Sequence, residues 1–137
     1  MTQQRPDSSM LEPATAIVRF METRDISALT DVFADGATLL ESFSPYFFNG
    51  PDAVTQWANG FINHARDIQD LRHSFGEPQE FSSSGDSAFF SLPLRWTGTA
   101  NGVSFDETGG LALMLVGYDN KWRIKSYGWA VTTFVRG

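Results

Sequence analysis

The sequence contains no cysteine among its 137 residues. Disulfides, thiolate nucleophiles and cysteine-ligated metal centres are therefore excluded, and the composition is compatible with a reducing compartment. Basic residues are also few, because 10 Lys and Arg stand against 16 Asp and Glu, which gives a net charge of −6. Such a chain repels a phosphate backbone and an anionic lipid surface, so we expect neither nucleic acid nor a membrane as a partner.

Long apolar runs are missing as well. No stretch reaches the roughly 18 apolar residues that a membrane span requires, and the start MTQQRPDSSM lacks the apolar centre of a secretory signal. The 2 histidines are too few for a three-histidine metal site, and no nucleotide-binding or hydrolase motif occurs. We therefore expect a cytoplasmic protein with no metal and no cofactor.

What the chain does contain is apolar and aromatic. Apolar residues make up 42% of it and aromatic residues 14%, with 12 Phe and 4 Trp, enough for one hydrophobic core. These rings either fill that core or line an apolar cavity. The polar residues 1–10 are interpreted as a disordered lead-in, and residues 11–137 as a single domain.

Three helices are predicted in the first half of the chain. Apolar residues recur at helical spacing up to Met21, and Asp25 is a good N-cap for a short second helix. Asp35-Gly36 then predicts a turn before a strand at 38–43. The third helix has the clearest apolar stripe: Val54, Trp57, Ala58, Phe61, Ile62 and Ala65. Gly60 interrupts that stripe at a cost of about 1 kcal/mol relative to Ala, which indicates that a neighbouring group approaches closely.

After residue 68 the apolar period changes from helical to alternating, which predicts strands. These strands lie near 71–81, 86–98, 102–117 and 121–135. Ser84-Gly85, Asn101-Gly102 and Asp119-Asn120 are typical of the turns that join them. Helices followed by a meander of long strands indicate an α+β protein with an antiparallel sheet.

Both faces of the middle strands are largely apolar, although few helices are available to cover them. We expect one face to take the helices and a cavity, and the other to take a second copy of the chain. The predicted homodimer would pack through an outer sheet face formed by Phe90, Leu92, Leu94, Trp96, Leu111, Leu113 and Leu115.

The order of elements and several local patterns resemble the NTF2-like superfamily, in particular its SnoaL-like and ketosteroid-isomerase-like branches. The resemblance runs from about Leu11 to Phe134. It is carried by Asp25-Ile26, the run VFADGAT at 32–38, Gly50 with Ala53-Val54 and Trp57, and the run WRIKSYGW at 122–129. It implies an α+β cone in which three N-terminal helices pack on a strongly curved mixed or antiparallel sheet around an internal pocket.

The ketosteroid-isomerase branch can be compared residue by residue. Its general-base carboxylate corresponds to Glu41, whereas its two hydrogen-bond donors to the developing enolate correspond to Ile17 and Met114. Neither of these side chains donates a hydrogen bond, and such donors usually supply the largest catalytic contribution. We therefore expect a pocket without steroid isomerase activity.

Glu41 is the leading candidate for a functional residue. It alternates with Leu39 and Phe43, so one carboxylate would lie on a buried apolar face, where loss of solvent raises its pKa toward the range useful for proton transfer. The alternative is a Glu at the strand end that reaches solvent or pairs with an Arg. Both interpretations stay open at this point.

Two further candidates come from the resemblance. SnoaL-like proteins often have a pocket-facing histidine near His73, although a lone histidine on an apolar face is more often a core residue. Arg95 lies on the face that the resemblance points inward, where it needs Glu41, Asp106 or a ligand carboxylate as its anion. We expect no role for His64, and we place Asp106-Glu107 in a solvated strand region.

An apolar wall for a ligand is predicted from five further side chains, for which filling the core is an equal alternative: Tyr127, Trp129, Trp57, Phe61 and Met114. Two functions follow. One is a binding protein for a small hydrophobic molecule, and the other is a cofactor-free acid–base enzyme of isomerase, dehydratase or cyclase type that uses Glu41, with His73 or Tyr127 as a donor. The absence of donors at Ile17 and Met114 favours the binding protein, and the enzyme is kept as the alternative.

Overall fold

The computed structural model describes residues 5–137, apart from the side chain of Tyr118. Within this part of the chain two α-helices pack on one mixed sheet of seven strands, and neither helix is long and apolar enough to cross a bilayer. The elements are α1 (Ser8–Thr23), β1 (Phe33–Leu40), β2 (Phe47–Phe48), α2 (Ala53–His64), β3 (Ile68–Phe75), β4 (Gln79–Ser84), β5 (Ser87–Ala100), β6 (Val103–Tyr118) and β7 (Lys121–Arg136).

Helix α1 begins at Ser8 because Asp7 caps it. The Asp7 carboxylate accepts hydrogen bonds from two backbone amides of the first turn, at 3.1 and 3.3 Å. The last three residues of the lead-in predicted at 1–10 therefore belong to this helix. Residues 1–4 lie outside the described residues.

The segment after α1 is a single 3-10 turn, Ile26–Leu29, where the sequence predicted a short α-helix. Its N-cap is the predicted one, since the Asp25 carboxylate accepts a hydrogen bond from the backbone amide of Ser27 at 3.0 Å. The turn buries only Leu29, which is too little apolar surface to support a helix of its own. The described residues thus contain two α-helices rather than the predicted three.

Strand β1 runs through Asp35-Gly36, where the sequence predicted a turn. Gly36 has a φ of 72°, and the pairing with β7 shifts register at this point, so the extra residues form a β-bulge rather than a reversal. The two strands are parallel, and Leu39 lies opposite Tyr127. The strand ends one residue before Glu41, which therefore lies close to β7.

The strands lie in the order β2-β1-β7-β6-β5-β3, and β4 also pairs with β5. Every pair except β1–β7 is antiparallel, and the predicted hairpin turns at Asn101-Gly102 and Asp119-Asn120 are confirmed. The strand predicted at 71–81 is two strands, β3 and β4, separated by residues 76–78. Pro78 contributes to this break because it has no amide to donate to the ladder.

Strands β5 and β6 have the predicted alternation, but their faces are the reverse of those predicted. The side chains expected on an outer, partner-binding face are buried in the core: Phe90, Leu92, Leu94, Trp96, Leu111, Leu113 and Leu115. The concave face of the sheet encloses the core together with α1 and α2, so the more apolar face lies inside. The homodimer itself stays a prediction, but these seven side chains cannot form its interface.

Arg95 lies on the convex face, so the prediction that it points inward was wrong. Its guanidinium pairs with the exposed carboxylate of Asp106 at 2.9 and 2.5 Å. Met114 is on the same face, because it lies next to the inward-facing Leu113 and pairs across the strands with the exposed Phe89. Water remains available to the charged pair there, whereas an inward Arg95 would need a buried anion.

Gly60 and Gly109 are among the glycines at which a neighbouring group leaves no room for a side chain. A Cβ on Gly60 would lie 2.8 Å from Cε1 of Phe43, which confirms the close neighbour predicted from the sequence. A Cβ on Gly109 would overlap the carbonyl oxygen of Ala130. Gly109 also marks a register shift between β6 and β7, and such bulges bend the strands that contain them.

Candidate functional site

A cavity of about 410 Å³ opens between the two helices and the concave face of the sheet. This volume is typical of small-molecule sites, which occupy roughly 300–1,000 Å³. Aromatic rings form much of its wall: Phe43, Phe61, Trp96, Phe105, Tyr127, Trp129 and Phe134. The ionisable side chains that line it with Tyr127 are Glu41, His64, Asp67, Glu107 and Arg136.

Glu41 is the buried carboxylate of this cavity, and its exposed fraction is 8%. Its Oε1 accepts hydrogen bonds from the indole Nε1 of Trp57 at 3.0 Å and from the hydroxyl of Tyr127 at 2.7 Å. Its Oε2 accepts from the backbone amide of Ser42 at 3.0 Å, with the Ser42 hydroxyl farther away at 3.4 Å. The carboxylate is thus fixed where the end of β1, α2 and β7 meet, and Oε2 keeps capacity to accept from a ligand.

Burial raises the pKa of Glu41 above its ordinary value of about 4.5. The hydrogen bonds from Tyr127, Ser42 and Trp57, together with the charge of a protonated His64, lower this pKa, but they do not cancel the loss of solvent. A carboxylate with a raised pKa in an apolar cavity is a stronger proton acceptor than one in water. The structure therefore agrees with the sequence-based expectation that burial raises the pKa of Glu41.

Tyr127 is a fixed hydrogen-bond donor in this arrangement. Burial, the charge of Glu41 and the hydrogen bond to it raise the pKa of Tyr127 well above its ordinary value of 10.0. The phenol consequently keeps its proton at neutral pH and holds Oε1 of Glu41 in place. Its role is to orient the carboxylate, because the one proton it can donate is already directed at that oxygen.

Glu107 is a second carboxyl group of the cavity, although the sequence predicted a solvated strand region there. Burial and the nearby charge of Glu41 both raise the pKa of Glu107. On β6 it alternates with Phe105, which also lines the cavity, and it lies opposite Trp96 of β5. The signal was present in the alternation of this strand, but assigning it required knowing which face of the sheet is concave.

His73 lies outside the cavity. Its Nδ1 is 2.7 Å from Oε2 of Glu22, and its backbone amide donates to the same oxygen at 2.9 Å. The imidazole packs against Phe75 and Trp96, with ring centroids 5.0 and 6.0 Å away. These contacts tie β3 to α1, so they support a structural role for this half-buried histidine rather than a place in the pocket.

The other predicted ligand-binding residues divide clearly. Phe61, Tyr127 and Trp129 line the cavity, and Trp57 lies behind it as a donor to Glu41. The remaining two, Arg95 and Met114, are on the convex face, so their predicted place in the pocket was wrong. Glu41, His73 and Arg95 consequently do not converge on one site.

His64, for which no role was expected, lines the opening of the cavity. Its side chain is exposed and stacks on Phe43 with a centroid distance of 5.2 Å and an interplanar angle of 26°. Arg136 and Phe134 line the same opening from the end of β7. No group of three His, Asp or Glu side chains among the described residues is arranged to hold a metal ion.

A scan against known protein families finds no match to this sequence, and neither does a search of curated proteins. Solved structures do match. The hexachlorocyclohexane dehydrochlorinase LinA-type3 from Novosphingobium barchaimii LL02 superposes with a TM-score of 0.79 at 12% identity, over 94% of this chain and 88% of that one.

Two further solved structures match over similar lengths. Kfla4162 protein from Kribbella flavida has a TM-score of 0.75 at 12% identity, over 93% of this chain and 91% of its own. Aln2 from a Streptomyces species has a TM-score of 0.69 at 18% identity, over 93% and 94%. At these identities the likeness shows the fold alone, and that fold is the NTF2-like α+β cone predicted from the sequence.

Proposed function

We propose that this protein binds a small, largely apolar molecule in the cavity of the cone and that Glu41 anchors the polar end of that molecule. The observation that carries the proposal is a carboxylate, 8% exposed, that lines an aromatic cavity of about 410 Å³. Burying such a group costs free energy, and hydrogen bonds to Glu41 from three residues offset only part of that cost. A ligand that donates to Oε2 would offset more of it.

A thermal-shift screen of apolar acids, ketones and fused aromatic rings tests this proposal. We expect at least one compound to stabilise the wild-type protein, by about 2.7 kcal/mol when its concentration is a hundred times its Kd. Glu41→Gln should weaken that stabilisation, because the amide replaces an acceptor with a donor at the ligand-facing position.

The matched control is Glu12→Gln. Glu12 is an exposed residue of α1, so the substitution changes the net charge by the same amount without touching the cavity. We expect it to leave ligand stabilisation unchanged. Ligands that stabilise wild type and Glu41→Gln equally would contradict the role of Glu41, and a screen without any stabilising compound would contradict the binding function.

The second candidate function is acid–base catalysis by Glu41, which the raised pKa of this carboxyl favours. A protein with the same fold is a hexachlorocyclohexane dehydrochlorinase, whose name describes loss of hydrogen chloride from an apolar ring. In a reaction of that class Oε2 of Glu41 would form an O–H bond with a proton taken from carbon. The C–H electron pair would become a double bond, and the leaving group would depart with its own bonding pair.

Steroid isomerisation is the least supported reaction of this kind. Ile17 lines the cavity at the place where the resemblance requires a donor, and Met114 lies outside it. Tyr127 and Trp57, which do carry donors, direct them at Glu41 itself. An enolate formed here would therefore lack the donors that usually stabilise it.

Hydrogen–deuterium exchange at carbon tests catalysis separately from binding. Compounds from the screen that have an acidic C–H bond are incubated with the protein in deuterium oxide and followed by NMR. Catalysis predicts exchange or elimination that slows by at least about a hundredfold in Glu41→Gln. Binding without exchange for every such compound would leave the first proposal standing and exclude the second.

A further inference from the structure

We propose that the cavity selects apolar molecules that carry a protonated amine, and that Glu41 and Glu107 together bind the ammonium group. This inference rests on the proposed function, because it concerns the class of ligand that the same cavity accepts. Three properties of the cavity wall carry it: the distribution of charge, of hydrogen-bond acceptors and of aromatic rings.

The charge inside the cavity is negative. Glu41 is buried and Glu107 half-buried, whereas the side chains that could supply positive charge, Arg136 and His64, are exposed and stand at the opening. Asp67 also stands there, with 58% of its side chain exposed. Among the described residues that line the cavity, none therefore places a cation in its interior.

The polar groups in the interior that are free to bind a ligand are hydrogen-bond acceptors. Oε2 of Glu41 keeps room for a donor, and none of the described residues donates a hydrogen bond to the carboxyl of Glu107. Ionised carboxylates only accept, so a ligand carboxylate would meet like charge without a donor. An ammonium group presents three N–H donors and a charge that compensates those of the carboxylates.

Aromatic residues lie opposite Glu107 on both neighbouring strands. Its cross-strand partners are Trp96 on β5 and Phe134 on β7, and both rings line the cavity. A cation close to such a ring is attracted by the negative face of its π system, and the attraction is larger where water is excluded. The apolar part of the ligand would pack on the same rings, which suits an amine joined to a flat hydrocarbon.

Three probes on one scaffold test the inference: naphthylmethylamine, naphthylmethanol and naphthoic acid, titrated calorimetrically at neutral pH. We expect the amine to bind wild type about tenfold or more tightly than the alcohol, and the acid to bind least, because only the amine adds a positive charge to its hydrogen bond with a carboxylate. Glu107→Gln should reduce the affinity for the amine toward that for the alcohol, and it should reduce the affinity for the alcohol far less.

The matched control is Asp106→Asn, which makes the same change in charge one residue away, on the convex face. It should leave all three affinities unchanged, and thermal unfolding of each variant checks that it is folded. An alcohol or acid that binds wild type as tightly as the amine would overturn this inference and leave the proposed function intact. An amine preference that survives Glu107→Gln would overturn the assignment of Glu107, and binding of none of the three would count against the proposed function as well.

Discussion

Glu41 and Glu22 are two carboxylates of the same type that differ in what surrounds them. Glu22 is part of a half-buried pair with His73 that joins α1 to β3, and it does not line the cavity. Glu41 is bonded to Trp57 and Tyr127, which are 16 and 86 positions away in the chain, and it does line the cavity. Access to an enclosed apolar space, rather than residue type, makes Glu41 the functional candidate.

The raised pKa of Glu41 predicts how stability depends on pH. Below the ordinary pKa of about 4.5 the group is protonated in both the folded and the unfolded protein, so no stability is lost. As pH rises through 4.5 toward the higher folded pKa, the unfolded chain ionises first, and the folded state loses about 1.36 kcal/mol per unit of pKa difference.

Urea denaturation measures this loss. It is carried out at about pH 4 to pH 8, a range that begins below the ordinary pKa of Glu41 and extends well above it. The free energy of unfolding of wild type minus that of Glu41→Gln should fall as pH rises and then level off. Glu12→Gln is measured alongside as the control for loss of one surface charge, since Glu12 is exposed on α1. A Glu41 difference that rises with pH would show that its hydrogen bonds outweigh its burial.

At the scale of elements, the long pair β6–β7 sets the shape of the cavity. Its register shifts twice, between Thr108 and Gly109 and between Met114 and Leu115. The first shift lies between Glu107 and Leu111, which both line the cavity. The bulge therefore helps to bring residues on either side of it to the cavity wall.

Gly109→Ala should destabilise the protein by at least about 2 kcal/mol, because its Cβ would overlap the backbone carbonyl of Ala130, which cannot rotate away as a side chain can. Gly110→Ala is the matched control. A Cβ at Gly110 would have its nearest neighbour at 4.0 Å, the carbonyl oxygen of Leu92, and should cost well under half as much. Equal free energies of unfolding for the two variants, from chemical denaturation, would contradict the role given to this bulge.

At the scale of the whole molecule, the apolar surface that led us to predict a homodimer proved to be the inner face of the cone. Its convex face is mixed, since Phe89 is 43% exposed but Arg95 and Asp106 form an exposed ion pair farther along the same two strands. We expect a sheet-to-sheet dimer to use Phe89 and its cross-strand neighbour Met114, which are apolar residues of this face.

We retain the homodimer as a prediction and expect light scattering at micromolar concentration to give twice the monomer mass. Phe89→Glu should shift the protein to monomer, because it buries a charge in the interface. Ile26→Glu is the control, since Ile26 is similarly exposed, at 47%, but lies in the 3-10 turn rather than on the sheet. A wild-type monomer under these conditions would exclude the dimer.

The sequence by itself determined what depends on near neighbours in the chain. The Asp25 cap, the two hairpin turns, the stripe of α2 and the alternation of β5 and β6 were all predicted, since each follows from local hydrogen bonding or from side-chain period. The close neighbour of Gly60 was predicted in the same way, whereas the burial of Glu41 was one of two interpretations that the sequence left open. The resemblance added the cone.

Only the tertiary structure decided which face of the sheet is concave. An alternating strand presents two faces, and its sequence does not say which of them the rest of the molecule covers. That one choice moved Arg95 and Met114 out of the pocket and brought Glu107 into it. It also turned an expected dimer surface into the core, because the sheet curves toward the helices and its larger apolar area is buried only on that side.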